Sequence, residues 1–156
     1  MSSTPAPAPA AAPAAAQESF LSSHFVVQLG APQPIPVTVV SGIQADTPAV
    51  VTREGSDPAS GEKTPGQASY PNLVLTRPLT RDLTLWQWMQ DSISGAAVKK
   101  NIVVLLVDSQ ANPVIEWSFR NAFPVRWTGP VLNALSNDAA METLEIAHEG
   151  FTVTAP

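Results

Sequence analysis

The sequence predicts a single, mainly β domain with one α-helix. At 156 residues the chain fits one domain and is long enough to bury a core. Short stretches rich in β-branched residues recur between prolines and glycines, which is the pattern of strands and turns. One stretch instead places apolar residues three and four positions apart, and this spacing indicates a helix.

Residues 1–18 are predicted to be a flexible tail, and residues 19–156 the folded domain. Residues 1–17 repeat alanine and proline without a charged side chain. Proline breaks helices and favours extended polyproline-II geometry. The alternative is that this tail is an arm that reaches a neighbouring subunit.

The first strands are predicted at 25–29 and 35–43. Gly30 ends the first strand, and Pro36 places the start of the second near a sheet edge. Residues 49–52 are expected to continue the sheet.

Residues 53–69 are predicted to form a long polar loop, because turn-forming and charged residues alternate there. A structureless segment of this length in a compact domain is usually functional or disordered.

A strand over 70–76 is predicted to lead into the helix. Pro78 stops the strand, Thr80 or Asp82 can cap the helix, and Gly95 is placed to end it. The apolar stripe that is predicted to face the core consists of Leu83, Trp86, Met89 and Ile93.

The two tryptophans of this helix receive different interpretations. Trp86 lies on the stripe and is predicted to pack in the core. Trp88 lies on the flank with Leu85 and Ser92 and is predicted to anchor a subunit interface, where aromatic residues are enriched. Packing of both tryptophans in the core is the alternative.

The second half of the domain is predicted to begin with a β-hairpin. Its strands, 99–108 and 112–123, flank the turn at 109–112. Strands at 142–148 and 151–154 follow, and Gly150 separates them.

The second hairpin strand has an apolar and a polar face. Ile115, Trp117 and Phe119 should point to the core. The opposite face then meets water or an aqueous channel, and it carries Val114, Glu116, Ser118 and Arg120.

Composition excludes several classes of function. Without cysteine, the chain has neither disulfides nor thiolate zinc sites. A net charge of −5 disfavours non-specific binding to nucleic acid or to anionic membranes. No apolar run is long enough to span a membrane, and the N-terminus lacks the pattern of a secretory signal. Only 13% of residues are charged while 44% are hydrophobic, which favours self-association.

No catalytic or metal site is predicted, and no cofactor. His24 and His148 are isolated within strands, whereas a metal site needs converging ligands. No phosphate loop or nucleophile elbow is present. The arginines that are candidates for ion pairs across an interface are Arg77, Arg81 and Arg126.

Four blocks of sequence resemble, in order and spacing, the inner tail-tube proteins of contractile phage tails and of phage-tail-like contractile injection systems. They are Tyr70-Pro-Asn-Leu-Val-Leu-Thr-Arg-Pro-Leu-Thr-Arg-Asp-Leu-Thr-Leu-Trp-Gln-Trp-Met, Arg120-Asn-Ala-Phe-Pro-Val-Arg-Trp-Thr-Gly-Pro, Leu132-Asn-Ala-Leu-Ser-Asn-Asp and Glu142-Thr-Leu-Glu-Ile-Ala-His-Glu-Gly-Phe. The resemblance covers roughly residues 20–154.

The resemblance implies a β-barrel or two-sheet sandwich with one helix outside it. Six copies would form a ring, and rings would stack into a hollow tube inside a contractile sheath. The long loop would contact the next ring through Glu54, Asp57, Glu62 and Lys63. Candidate subunit contacts are Trp88, Arg77, Arg81 and Arg126, and candidate lumen-facing residues are Glu116, Ser118 and Arg120.

The partners implied are further copies of the chain, the sheath protein, baseplate and spike proteins, and a lumenal cargo, tape-measure protein or DNA. No membrane anchoring is expected. Assembly would occur in the bacterial cytoplasm, and the finished particle can be extracellular.

Two alternatives remain at this point. One is the ring-forming tube protein of type VI secretion, which shares the fold. The other is a monomeric β-sandwich that binds a ligand such as carbohydrate, with Trp88 or Trp127 as a stacking platform.

Overall fold

The computed structural model describes residues 21, 24–52, 55 and 61–156. The predicted tail at 1–18 lies outside the described residues. In chain order the described elements are β1 (Phe25–Leu29), β2 (Pro34–Ile35), β3 (Val39–Ser41), β4 (Ala49–Thr52), β5 (Glu62–Pro65), β6 (Leu73–Pro78), α1 (Thr84–Ile93), β7 (Lys100–Val107), β8 (Pro113–Thr128), β9 (Met141–Ala147) and β10 (Phe151–Thr154).

Two antiparallel sheets share the 16-residue strand β8. Its first half pairs with β7 on one side and β10 on the other, and its second half pairs with β9. The strand order is β2-β1-β7-β8-β9-β6-β3, and β10 branches off at β8. The result is an open, barrel-like sandwich, which confirms the mainly β fold with one helix.

The two sheets meet at a corner where β8 and the β9–β10 segment bend together. There the Arg120 N–H donates to the Gly150 carbonyl, and the Glu149 N–H donates to the Arg120 carbonyl, both at 3.0 Å. Gly150 has φ +116°, and a Cβ there would stand 3.1 Å from the Tyr70 ring. This conformation requires glycine, so Gly150 separates the two strands as predicted.

The core lies between the sheets and beneath α1. In β6, β7 and β9, alternate residues are buried, as expected for strands with one face against a core. On β8, Phe119 is fully buried, while Ile115 and Trp117 are half-buried. The buried apolar side chains are Val27, Leu29, Leu73, Leu75, Leu85, Trp88, Ile102, Val104, Phe119, Ala122, Leu144 and Ile146.

Helix α1 buries a different face from the one predicted. Leu85 and Trp88 point into the core, and the Trp88 Nε1–H donates to the Val98 carbonyl at 2.8 Å. Leu83 and Ile93, from the predicted stripe, are 52% and 65% exposed. Both faces carry apolar residues at helical spacing, so periodicity could not choose between them. The large Trp88 ring determines which face is buried, because it fills the space between the helix and the sheets.

Trp86 was predicted to pack in the core, but the structure shows it half-buried outside the core. Its ring lies against Trp127, with centroids 4.9 Å apart. The prediction for the C-terminal end of the helix is confirmed, whereas the N-cap is Leu83, which makes no side-chain cap hydrogen bond, and not Thr80 or Asp82. The Asp82 carboxylate accepts the Thr84 N–H at 3.0 Å, and Gly95 ends the helix with φ +83°.

Candidate assembly surfaces

Strands β4 and β5 form a two-stranded ribbon, and we call its described residues, 46–52 and 61–69, the arm. The strands pair from Ala49↔Pro65 to Thr52↔Glu62, and an Asp46↔Ser69 bridge lies at the base. The predictions that residues 49–52 extend the main sheet and that residues 62–65 lie in a structureless loop are therefore wrong. Each segment finds its hydrogen-bonding partner in the other.

The arm stands away from the body of the domain. All residues of β4 and β5 are exposed, including Val50 and Val51 on opposite faces. Among the described residues, these strands pack on each other and make at most marginal contact with other elements. An isolated two-stranded ribbon is only marginally stable in water, so the arm is suited to bind another surface.

The four predicted inter-ring residues map to the arm only in part. Glu62 and Lys63 lie on β5, where they are exposed and pair across the ribbon with Thr52 and Val51. Glu54 and Asp57 lie outside the described residues. A contact of this loop with a neighbouring ring stays a prediction.

Arg77 is the centre of a buried polar cluster. Its side chain is 1% exposed, and its Nε lies 2.5 Å from Oε1 of Glu142, itself 3% exposed. The guanidinium also donates to the Asp82 carboxylate at 3.0 Å and to the Asp82 carbonyl at 2.6 Å. The second Glu142 oxygen accepts the Trp127 Nε1–H at 3.0 Å. The cluster therefore joins β6, β8 and β9 to the segment that starts α1.

Two of the predicted interface residues are therefore internal. Arg77 cannot form an ion pair across a subunit boundary, because its donors already have partners inside the domain. Trp88 cannot anchor an interface, because it is 1% exposed within one subunit. Burial of Trp88 also removes it as a platform for a carbohydrate ring.

Asp82 connects the cluster to the helix. Hydrogen bonds from the Thr84 hydroxyl and from the Thr84 N–H, together with Arg77, hold the pKa of the Asp82 carboxyl below its ordinary value. A carboxyl whose pKa is depressed on folding stabilises the protein above its unfolded-state pKa. That contribution is lost as the pH falls through the folded-state pKa.

We expect Asp82→Asn to lower the free energy of unfolding at pH 7 by no more than about 1 kcal/mol, because the carboxylate is partly exposed. The difference between the two proteins should shrink below about pH 4, where the carboxylate becomes protonated. Thermal unfolding of both proteins between pH 7 and pH 3 measures this. A difference that is the same at every pH would contradict the role of the Asp82 charge.

The other two predicted interface arginines are on the surface. Arg126 is 74% exposed, and its Nη1 lies 3.5 Å from the Glu145 carboxylate. Arg81 is also exposed, beside the start of α1. Both positions are open to a neighbouring subunit, and their role there stays a prediction.

The predicted lumen-facing residues share one face of β8, away from the core. The Ser118 hydroxyl donates to the Glu116 carboxylate at 2.9 Å, and both residues are half-buried. Arg120 is exposed at the corner, where Nη2 donates to the Glu149 carbonyl at 3.2 Å. Pairing places Val103 of β7 and Thr152 of β10 beside Ser118. This face therefore carries one acidic and one basic side chain, Glu116 and Arg120, and its orientation toward a lumen stays a prediction.

The described residues offer no evident catalytic chemistry. His148 is held structurally: Nε2 donates to the Pro71 carbonyl at 3.0 Å, and Nδ1 accepts the Gly150 N–H at 3.1 Å. No three His, Asp or Glu side chains in the described ranges come together as a metal site would require. Nor does this part of the chain contain a helix with the length and apolar character needed to cross a membrane.

Comparison with known proteins assigns the chain a family. The family model for the T4-like virus tail tube protein gp19 matches residues 21–152. No curated protein matches the chain.

The structural matches are to contractile assemblies. A chain of the PVC sheath–tube complex, an extracellular contractile injection system in the extended state, has a TM-score of 0.82 at 24% identity, covering 90% of this chain and 95% of that one. A chain of the anti-feeding prophage tube-terminating cap has a TM-score of 0.80 at 24% identity, with coverages of 92% and 95%. Hcp1 from Flavobacterium johnsoniae is more distant, with a TM-score of 0.57 at 16% identity and coverages of 85% and 96%.

Proposed function

The chain belongs to the family of T4-like virus tail tube proteins, and from that premise we propose that it builds the inner tube of a contractile phage tail or contractile injection system. Six copies close into a ring, and rings stack into a hollow conduit. A surrounding sheath drives this conduit through a target envelope. The subunit supplies stiffness and a channel and catalyses no reaction.

The family match over residues 21–152 carries this proposal. The fold supports the same group, because the likeness to the PVC sheath–tube chain exceeds that to Hcp1, with TM-scores of 0.82 and 0.57. The type VI tube protein is therefore the weaker alternative. By analogy with these assemblies, the partners are sheath and baseplate proteins and a cargo inside the tube. Assembly in the bacterial cytoplasm precedes release of the particle.

Open sheet edges support closure into a ring. Among the described residues, β10, which branches off the strand order, pairs only with β8, and β3, at one end of that order, pairs only with β6. Unpaired edges favour addition of another strand. A head-to-tail contact between the two kinds of edge closes into a ring when the rotation between copies fits. Arg81 and Arg126 are exposed and can form ion pairs between the subunits.

Electron microscopy of the purified protein with light scattering tests the proposal. Rings of six 16.4 kDa chains, about 98 kDa, or hollow tubes built from them, are the expected result. A monomer at every concentration, together with tryptophan fluorescence that responds to a carbohydrate, would instead support a binding module.

Removal of the arm tests the stacking of rings. A variant in which an Asn-Gly turn replaces residues 49–65 should fold with nearly unchanged stability, because the arm contributes little to the core. It should form rings but no long tubes. Circular dichroism, thermal unfolding and microscopy separate these outcomes. Loss of soluble folding would show that the arm belongs to the core.

A further inference from the structure

The connection between β8 and β9 displays unusual apolar surface. We call residues 129–140 the apolar loop. Its Val131, Leu132 and Leu135 side chains are 92%, 81% and 98% exposed, although large aliphatic residues are normally buried. Burying each of them would contribute about 1.5–3 kcal/mol. Such a cluster on a surface marks an interaction site.

The apolar loop has a defined internal structure. The Asn133 side chain accepts the Leu135 N–H at 3.0 Å, and the Ser136 hydroxyl accepts the Asp138 N–H at 3.1 Å. Its end is attached to the body, where the Leu79 N–H donates to the Ala140 carbonyl at 2.8 Å. The loop therefore presents its aliphatic side chains in a fixed arrangement.

The loop also curves around a depression open to solvent. Its volume is about 340 Å³, and residues of the loop line it together with Met141. The lining is partly polar, since it includes Asn133, Ser136 and Asp138. This volume accommodates several aliphatic side chains from another molecule.

The arm and the apolar loop lie at opposite ends of the same sheet. Strand β6 starts beside Ser41, after which the chain continues into the arm. It ends at Pro78, which pairs with Met141 directly after the apolar loop. These ends are separated by the length of β6, roughly 17 Å for six residues. The arm therefore leaves the domain at the end of the sheet opposite the loop of its own subunit, where a neighbour placed end to end would lie.

From this placement we infer that the apolar loop is the binding site for the arm of a second copy of the chain. Val50 or Val51 of one copy packs on Leu132 and Leu135 of the next, and the arm exchanges its unpacked surface for an apolar contact. The contact is head-to-tail, so it repeats along a stack without closing. The inference rests on the proposed stacking of rings and names the surfaces that hold the rings together.

The inferred contact is between aliphatic side chains, whereas the charged residues of the arm's strands, Glu62 and Lys63, lie on β5. The loop carries Asp138 as its one charged residue. Contacts between apolar side chains are not screened by salt, whereas exposed ion pairs are. Tubes held by this contact should therefore persist when the salt concentration is raised.

Cysteine cross-linking tests the contact, because the natural chain contains no cysteine. Two double variants, Val50→Cys with Leu135→Cys and Val51→Cys with Leu135→Cys, cover both faces of the arm. After oxidation of assembled tubes, at least one should give a ladder of linked subunits on a denaturing gel. The single variants should give no ladder, and neither should Val50→Cys with Ile93→Cys, which places the second thiol on α1.

Substitution of the loop supplies an independent measurement. Leu135→Asp should leave folding and rings unchanged, because the side chain is 98% exposed, yet raise the subunit concentration needed for tubes by at least about tenfold. Val98→Asp, at an exposed position elsewhere, is the matched control. If tubes form but the cysteine variants give no ladder, and if Leu135→Asp assembles normally, the arm–loop contact is wrong while the proposed function stands. Natural protein that forms neither rings nor tubes would overturn the proposed function as well.

Discussion

Replacement of Glu142 by alanine is expected to lower the free energy of unfolding by about 3–5 kcal/mol. The change removes the buried carboxylate that lies 2.5 Å from the Arg77 Nε and leaves the partly exposed Asp82 carboxylate as the remaining charged partner of the buried guanidinium. The Trp127 Nε1–H loses its acceptor at the same time. Removing one partner of a buried ion pair costs more than the intact pair contributes, because the charge that remains is only partly compensated for its removal from water.

Chemical denaturation followed by tryptophan fluorescence measures this loss. Glu145→Ala is the matched control, because it removes a carboxylate from the same strand that lies 3.5 Å from the exposed Arg126 guanidinium and accepts a hydrogen bond from the neutral Asn72 amide at 2.7 Å. We expect that control to change stability by no more than about 1 kcal/mol. Arg77→Met combined with Glu142→Leu should be more stable than Glu142→Ala alone, because no buried charge is left unpaired. Equal losses for Glu142→Ala and Glu145→Ala would refute the importance of the buried pair.

Replacement of Trp88 by alanine should also lower the free energy of unfolding by about 3–5 kcal/mol. The indole is the largest fully buried side chain of the described residues. Its removal leaves a cavity between α1 and the sheets and deprives the Val98 carbonyl of its 2.8 Å hydrogen bond. The effect falls on the folding of the single subunit, whereas the sequence had suggested an effect on subunit association.

Ile93→Ala is the control for Trp88, because Ile93 lies on the helix face that periodicity had favoured. Ile93 is 65% exposed, so its truncation should change monomer stability by at most about 0.5 kcal/mol. Denaturation of both variants at a concentration where the protein is monomeric provides the comparison. A greater loss for Ile93→Ala than for Trp88→Ala would mean that the helix packs through the other face.

The losses of stability expected for Glu142→Ala and Trp88→Ala come from the two contacts that orient α1. Trp88 holds the middle of the helix against the core, and the Arg77 cluster holds the segment at its start through Asp82. The outward face, with Leu83 and Ile93, is consequently left exposed on the outside of the sandwich. A rigidly attached outer helix suits a subunit whose neighbours surround it in an assembly.

Local features of the chain were predictable because short-range chemistry governs them. The alternation of strand residues follows from the two-residue period of the β backbone. Gly95 and Gly150 stop their elements because both adopt positive φ, which glycine tolerates. The family could be recognised from the sequence for a related reason, because several such local patterns occur in one order over most of the chain. The family match over residues 21–152 agrees with this.

Two kinds of feature were decided only by the tertiary structure. One is the choice between equivalent local patterns, and the other is the pairing of residues that are distant in the sequence. Two apolar faces of α1 had the same spacing, and the space between the sheets selected the one that carries Trp88. Arg77 looked like an exposed interface charge until the β6–β9 pairing placed Glu142, 65 positions away, directly opposite it. Burial and ion pairing depend on what the rest of the chain brings alongside a residue. Local sequence does not contain that information.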